Sequence, residues 1–254
     1  MKAGMTGHAS LACWPGLRHE QAAQRLLNDN SEPLLGTLST AHVQLVPQSF
    51  GILTEAVVDS LLAAFPNSRF RLHANVRVLP THRIADMSGY RRHADWFCQA
   101  ARVSQRLAAP AYTAHSGSRS EATLDEMLDN ARRCADLFEC PVGVEGQFPA
   151  QGDPWLVSSW AEYRQMFESG LPYAIDLSHL NILATRSGVR DDTLLLEMLA
   201  CERCIEVHVS DNDGQGDWHQ VCEQPAWWFP LLPHINPNAV VFSEGNHRRK
   251  RSTS

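Results

Sequence analysis

No run of 18 apolar residues occurs in the chain, which excludes a membrane-spanning helix. The opening stretch MKAGMTGHASLACWPG has no continuous apolar core of signal-peptide type, so the expectation is a soluble, cytoplasmic protein with no membrane partner. Positive charge is in short supply. The 22 Lys and Arg stand against 28 Asp and Glu, for a net charge of -6, which argues against a uniformly basic surface for nucleic acid. The one dense basic cluster is Arg248, Arg249, Lys250 and Arg251 in the tail HRRKRSTS. Seven cysteines, an odd number scattered along the chain, do not build a disulfide framework and suit a reducing compartment. No Gly-rich phosphate fingerprint follows any apolar run, and neither a P-loop nor a G-x-S-x-G elbow is present. Repeats, linkers and low-complexity segments are also missing.

The 254 residues are 44% hydrophobic and 20% charged, enough to bury a large core in one α/β domain or two smaller ones. Short apolar, β-rich runs alternate with stretches of helical period. After a first strand near His8 to Trp14 comes HEQAAQRLL, then AHVQLV and TEAVVDSLLAAF, RFRLHANV and HADWFCQAARVSQRL, AYTAHS and LDEMLDNARRCADLF. The pattern continues through VGVEGQF and WAEYRQMFE, YAIDLSHL and DTLLLEML, IEVHVSD and PAWWFPLL, and closes on AVVFSEG. Eight strands with seven intervening helices imply βαβ units, parallel pairing and a single-domain (β/α)8 TIM barrel over residues 1–247, with an apolar barrel core and a basic tail at 248–254. A doubly wound open sheet is the alternative.

Such barrels build their sites at the C-terminal ends of the strands. The stretch IEVHVSDNDGQGDWHQ shows what arrives there: an apolar strand runs out into His208, Asp211, Asp213, Asp217 and His219. Other strands end alike. His73 closes RFRLH, His115 closes AYTAH, Glu145 closes VGVE, Asp176 and His179 lie in YAIDLSH, and Glu244 closes VVFSE. Independent solvated positions would include Ser, Thr, Asn and Lys freely. Instead His73, His115, Glu145, Asp176, His179, His208, Asp217, His219 and Glu244 all belong to the set that binds divalent metals. Nine nitrogen and oxygen ligands exceed what one ion needs and suit two or three ions sharing carboxylates. The absence of Cys among them disfavours a structural zinc site. Elsewhere, Cys201 and Cys204 have C-x-x-C spacing but no second pair, and read as a helix end packing before a strand. His82 and His93 flank an Arg-rich segment on a loop and a helix face, and Trp227 and Trp228 read as part of the outer ring.

From roughly Val43 to Gly245 the chain resembles the xylose isomerase-like barrel superfamily, and within it the endonuclease IV (AP endonuclease family 2) family. That family places a His on each of the third and fourth strands, a Glu on the fifth, D-x-x-H on the sixth, His then D-x-H on and after the seventh, and a Glu on the eighth. His73, His115, Glu145, Asp176 with His179, His208, Asp217 with His219, and Glu244 fill these places in order. The resemblance implies two or three divalent ions, zinc first, with manganese or iron as alternatives, and catalytic parts for Glu145, Glu244 and His208. Two departures bear on the substrate: ANVRV after His73 lacks the aromatic residue the DNA-repair enzymes use, and DLSH stands where the family has D-T-C-H. The expectation is therefore a phosphoester hydrolase acting on a small or phosphorylated molecule rather than duplex DNA. A one-metal sugar isomerase or epimerase using Glu145, Asp176, His208 and Glu244 is the second reading, and a multi-iron oxidative enzyme the third. A metal-binding scaffold would leave the clustering at the strand ends unexplained.

Overall fold

A computed structural model describes residues 6–248. Residues 1–5 and, of the basic tail, 249–254 lie outside the described residues; Arg248 is described, and its guanidinium donates to the Pro15 carbonyl at 2.7 Å. Eight parallel strands alternate with helices: β1 (Gly7–Ser10), β2 (Ser39–Leu45), β3 (Arg69–Leu72), β4 (Tyr112–His115), β5 (Val142–Glu145), β6 (Tyr173–Asp176), β7 (Cys204–Val209) and β8 (Val240–Ser243). Their order around the sheet is β3-β2-β1-β8-β7-β6-β5-β4. The two edges meet through a bridge between His73 and Thr113, where the Ala74 N–H donates to the Thr113 carbonyl at 2.7 Å. That seam nearly closes the ring, so the expected barrel stands and the open doubly wound sheet does not.

Helices α1 (His19–Asn28), α2 (Glu55–Ala64), α3 (Ala94–Arg106), α4 (Leu124–Phe138) and α5 (Trp160–Glu168) return the chain between strands. In α4 the Thr123 hydroxyl accepts from the Glu126 N–H while the Glu126 carboxylate accepts from the Thr123 N–H, a reciprocal cap. Met127, Ala131, Cys134 and Phe138 then recur at helical spacing on its buried face, and Phe138 stacks on Tyr112 of β4 at 4.4 Å.

Some local expectations need correction. The sixth strand does not run through His179: it stops at Asp176, whose carboxylate accepts from the N–H groups of Ser178 (2.6 Å) and His179 (3.2 Å) and so caps α6 (Leu177–Ser187), a helix additional to α7 (Asp192–Ala200). The segment PAWWFPLL forms no α-helix; Phe229–His234 is a 3-10 turn, because Pro230 and Pro233 lack the donors an α-helical ladder requires. Between α1 and β2 an unforeseen hairpin pairs Ser31–Glu32 with Gly36–Thr37 and carries Glu32 into the interior at 3% exposure.

A further correction, to the expected apolar core, matters most for the site. Apolar packing fills the layer between sheet and helices, through residues such as Val43, Leu45, Phe70 and Leu72, but the barrel lumen is polar. Arg71 donates to Glu206 Oε1 at 2.8 Å, Thr113 Oγ1 donates to Glu206 Oε2 at 2.9 Å, and Gln44 donates to the same oxygen at 3.3 Å. These residues sit on β3, β4 and β2, none of them adjacent to β7, so the bonds cross the lumen. Side chains alternate across a strand, and a residue two places before a rim residue shares its inward face. Arg71 precedes His73 in this way, Thr113 precedes His115, and Glu206 precedes His208. Removing the cation strands a charge that is fully buried. Arg71→Met is expected to destabilise the fold by about 3–5 kcal/mol in urea unfolding, and Arg71→Met with Glu206→Leu to recover most of that loss.

Candidate metal centre

The nine strand-end side chains meet at one end of the barrel. Glu145, at the end of β5, is 1% exposed, and its carboxylate stands 3.2 Å from His208 Nδ1, 3.4 Å from His73 Nε2, 3.4 Å from His179 Nδ1 and 3.8 Å from His115 Nε2. His179, one turn into α6, also faces Asp176 at 3.5 Å and Asp217 at 3.6 Å through Nε2. His208 Nδ1 lies 3.7 Å from Glu244 Oε1, and His219 joins Asp217 (2.9 Å) to Glu244 (3.6 Å). Glu145, Asp176, His179, His208 and Glu244 are buried, whereas the side chains of His115, Asp217 and His219 keep 27%, 22% and 25% exposure. The cluster therefore opens to solvent on that side.

The acidic residues of the loop after β7 divide by role. Asp211 pairs with Gln220 through both backbone hydrogen bonds, closing the loop at its base. Asp213 accepts from the Gln215 N–H at 2.9 Å and the Trp218 indole at 2.8 Å, a turn that leaves Trp218 43% exposed. Asp217 and His219 alone reach the cluster. His219 is held at φ 47°, a left-handed conformation uncommon outside glycine, so the loop imposes the placement of its ring. The remaining candidates lie away from the site. His82 is exposed on a loop, His93 caps α3, and Cys201 and Cys204 form the turn between α7 and β7. Trp228 is buried under the outer layer.

Each ring is oriented from behind. Because Thr113 Oγ1 gives its proton to Glu206, it must accept from His73 Nδ1–H (3.0 Å), which leaves the lone pair of His73 Nε2 facing Glu145. His208 Nε2 lies between Glu206 Oε2 at 3.1 Å and the Gln44 amide nitrogen at 2.9 Å, which turns Nδ1 inward toward Glu145. His179 Nδ1–H donates to the Gly146 carbonyl at 3.0 Å, and His115 Nδ1 faces Asp86 at 3.5 Å. Sequence reasoning missed Glu206, Thr113 and Asp86. The first two carried a signal, since E-x-H in IEVH and T-x-H in YTAH place each pair on one strand face; Asp86 comes from a turn before Met87 and had none.

Whether these residues suit metal ions can be tested on the atoms left over. Glu145 Oε2, His208 Nδ1, His219 Nδ1 and Glu244 Oε1 are buried without a hydrogen-bond partner, although each points at a neighbour 3.2–3.7 Å away. Carboxylate oxygens and imidazole nitrogens crowded together in a buried space without hydrogen bonds are ligand atoms that a cation between them would satisfy. One ligand atom from each of His73, His115 and Glu145 lies within 4.8 Å of the others, and the same holds for Glu145, Asp176 and His179 and for Asp176, His208 and Glu244. Electrostatics agree. Burial pushes the Glu145 carboxyl up, but His208, His73 and His115 outweigh it and hold it well below the usual range. Burial drives Glu244 up to about 7 against the pull of His208 and His219. Burial depresses His219, yet Asp217 and Glu244 raise it to about 9.

No family model matches the chain, and no curated sequence matches it. Solved structures do. A D-tagatose 3-epimerase-like protein superposes with a TM-score of 0.68 at 14% identity, covering 96% of this chain and 92% of the other. An AP endonuclease of family 2 from Brucella melitensis gives 0.64 at 17% identity over 97% and 95%. The IOLI protein with a binding zinc atom gives 0.62 at 10% identity over 94% and 88%. At such identities the likeness is one of fold, and the fold is a (β/α)8 barrel.

Two outcomes are expected. Glu206→Gln keeps the shape behind His208 but removes the charge, and should weaken zinc affinity about 10- to 100-fold in chelator competition. A ligating imidazole must be neutral, and with a pKa of about 9 His219 is protonated at pH 7. Zinc titrated into metal-free protein should release more protons at pH 7 than at pH 9.5, read from the buffer dependence of the binding enthalpy.

Proposed function

We propose that this xylose isomerase-like barrel is a metal-dependent hydrolase of a phosphoester, built on a centre of two or three divalent ions. One observation carries the reading. Three of the four ligand groups in the barrel are linked by shared carboxylates, Glu145 joining His73 and His115 to Asp176 and His179, and Asp176 joining these to His208 and Glu244, while Asp217 and His219 add a further pair at the open side. One ion would leave most of these side chains without a role. Ligands of this kind suit zinc, with manganese and iron as alternatives.

Divalent ions at such a centre lower the pKa of water and neutralise phosphoryl and leaving-group oxygens. The chain's own contribution is placement. His73 and His208, their outer nitrogens tied to Thr113 and Glu206, present fixed lone pairs and cost little reorganisation. Glu145 stands among four imidazoles on the floor, and Glu244 stands between His208 and His219, so their unpartnered oxygens are available to orient an attacking water. In this reading Glu145, Glu244 and His208 are catalytic. His115, Asp217 and His219 face solvent and would receive the substrate. Trp218 beside them offers an apolar ring for the non-reacting part.

A small phosphorylated or sugar-like substrate fits better than duplex DNA. The net charge is -6, and the segment after His73 offers no aromatic wedge to replace an extruded nucleotide. The second reading, a one-metal sugar isomerase or epimerase, has its own support. Asp176, His208 and Glu244 approach one another closely, and Glu145 lies against His208; the epimerase-like structure superposes as well as the endonuclease. The two part on stoichiometry. Elemental analysis of protein purified without added metal should give close to three zinc per chain together with phosphoester turnover, and weak incision of a duplex carrying one abasic site. One manganese or magnesium per chain with ketose epimerisation would replace the hydrolase by the isomerase. Efficient incision with nanomolar duplex binding at physiological salt would restore DNA as the substrate.

A further inference from the structure

A second group of metal-ligating side chains lies apart from the nine. Cys13 follows β1, Glu32 sits in the hairpin between α1 and β2, and His247 follows β8. One ligand atom from each lies within 4.8 Å of the other two, although the residues come from opposite ends of the sequence. Cys13 is wholly buried, Glu32 is 3% exposed, and the side chain of His247 keeps 7%. Glu32 Oε1 accepts from Ser243 Oγ at 2.6 Å and stands 2.8 Å from His247 Nε2. Its other oxygen, Oε2, is buried with no partner.

A hydrogen-bonded clasp explains part of this arrangement. Two features remain outside that explanation. One is the unpartnered oxygen of a carboxylate taken out of water, whose sole ion-pair partner among the described residues is His247. The other is a thiol whose contact with the Ser243 carbonyl, at 3.4 Å, is a weak one. Thiolate, imidazole and carboxylate together are a donor set for a borderline-soft divalent cation. We propose that Cys13, Glu32 and His247 form a separate structural site for one zinc-like ion. Binding releases the thiol proton of Cys13 and shifts the imidazole proton of His247 from Nε2 to Nδ1, so that sulfur and Nε2 face the ion. The ion ties the exits of β1 and β8 to the hairpin. Ser243, held by Glu32, immediately precedes Glu244, so the tie also steadies one carboxylate of the main centre.

The nine-residue centre contains no cysteine, which gives the site a signal of its own. Full-length protein freed of metal and titrated with cobalt(II) should develop a near-ultraviolet thiolate-to-cobalt charge-transfer band. The band should disappear in Cys13→Ser, with loss of one metal equivalent, and persist in Asp176→Asn, which alters only the main centre. Should Cys13→Ser fail to fold, His247→Ala provides the same readout, and its band should be lost or need at least 10-fold more cobalt. No charge-transfer band in protein whose main centre fills normally would reduce the group to a clasp and overturn the proposal. A band unchanged in Cys13→Ser or in His247→Ala would overturn it as well. Loss of the main centre's visible cobalt bands with the thiolate band intact would instead count against the multinuclear reading alone.

Discussion

Within 4 Å of the Glu145 carboxylate stand imidazole nitrogens from four other segments: His73 after β3, His115 on β4, His179 on α6 and His208 on β7. A carboxylate buried to 1% exposure is costly unless positive charge or strong donors surround it. Here the surrounding nitrogens are themselves costly to bury as cations. Each partner is tolerable only because the others are present, and a divalent ion among them relieves both sides at once. The strand ends, the cap of α6 and the left-handed backbone at His219 all serve to bring these groups into one small volume.

That volume rests on a second buried charge. Glu206 is fully enclosed in the lumen, where Arg71 balances it and Thr113, Gln44 and His208 supply its hydrogen bonds. Burial pushes its carboxyl up, but Arg71 and His208 prevail and bring it to about 2. The barrel thus has two polar storeys, an ion-paired lower one and an upper one of imidazoles and carboxylates, with His73 and His208 facing both. Fold stability and site geometry are coupled through the same few hydrogen bonds, so a change in the lower storey is felt above it.

An epimerase-like barrel and an endonuclease barrel superpose on this chain with nearly equal fidelity. Shared architecture explains this, because the barrel decides where side chains are delivered and not what they act upon. The discriminating features are local: how many ions the carboxylates join, and what the mouth beside His115, Asp217 and His219 will admit.

The alternation of apolar runs with helical periods was enough to indicate eight parallel strands joined by helical crossovers, whereas closure into a barrel rather than an open sheet was decided by the seam between His73 and Thr113. Polar residues closing six of those runs were enough to mark the rim, because strand direction places such ends together. Other features depended on contacts between distant segments. The end of β6 at Asp176 turned on a carboxylate reaching two N–H groups, which converted an apparent strand into α6. The polar lumen escaped notice because Arg71 and Glu206 look like ordinary charges in their own strands and reveal a common purpose only across the barrel. Which nitrogen of His73 faces inward was settled by Thr113 on another strand. The meeting of Cys13, Glu32 and His247 followed from β1 and β8 lying side by side. Periodicity is a local property of the chain and can be read along it, whereas hydrogen-bond partners more than a hundred residues apart are chosen by closure of the barrel.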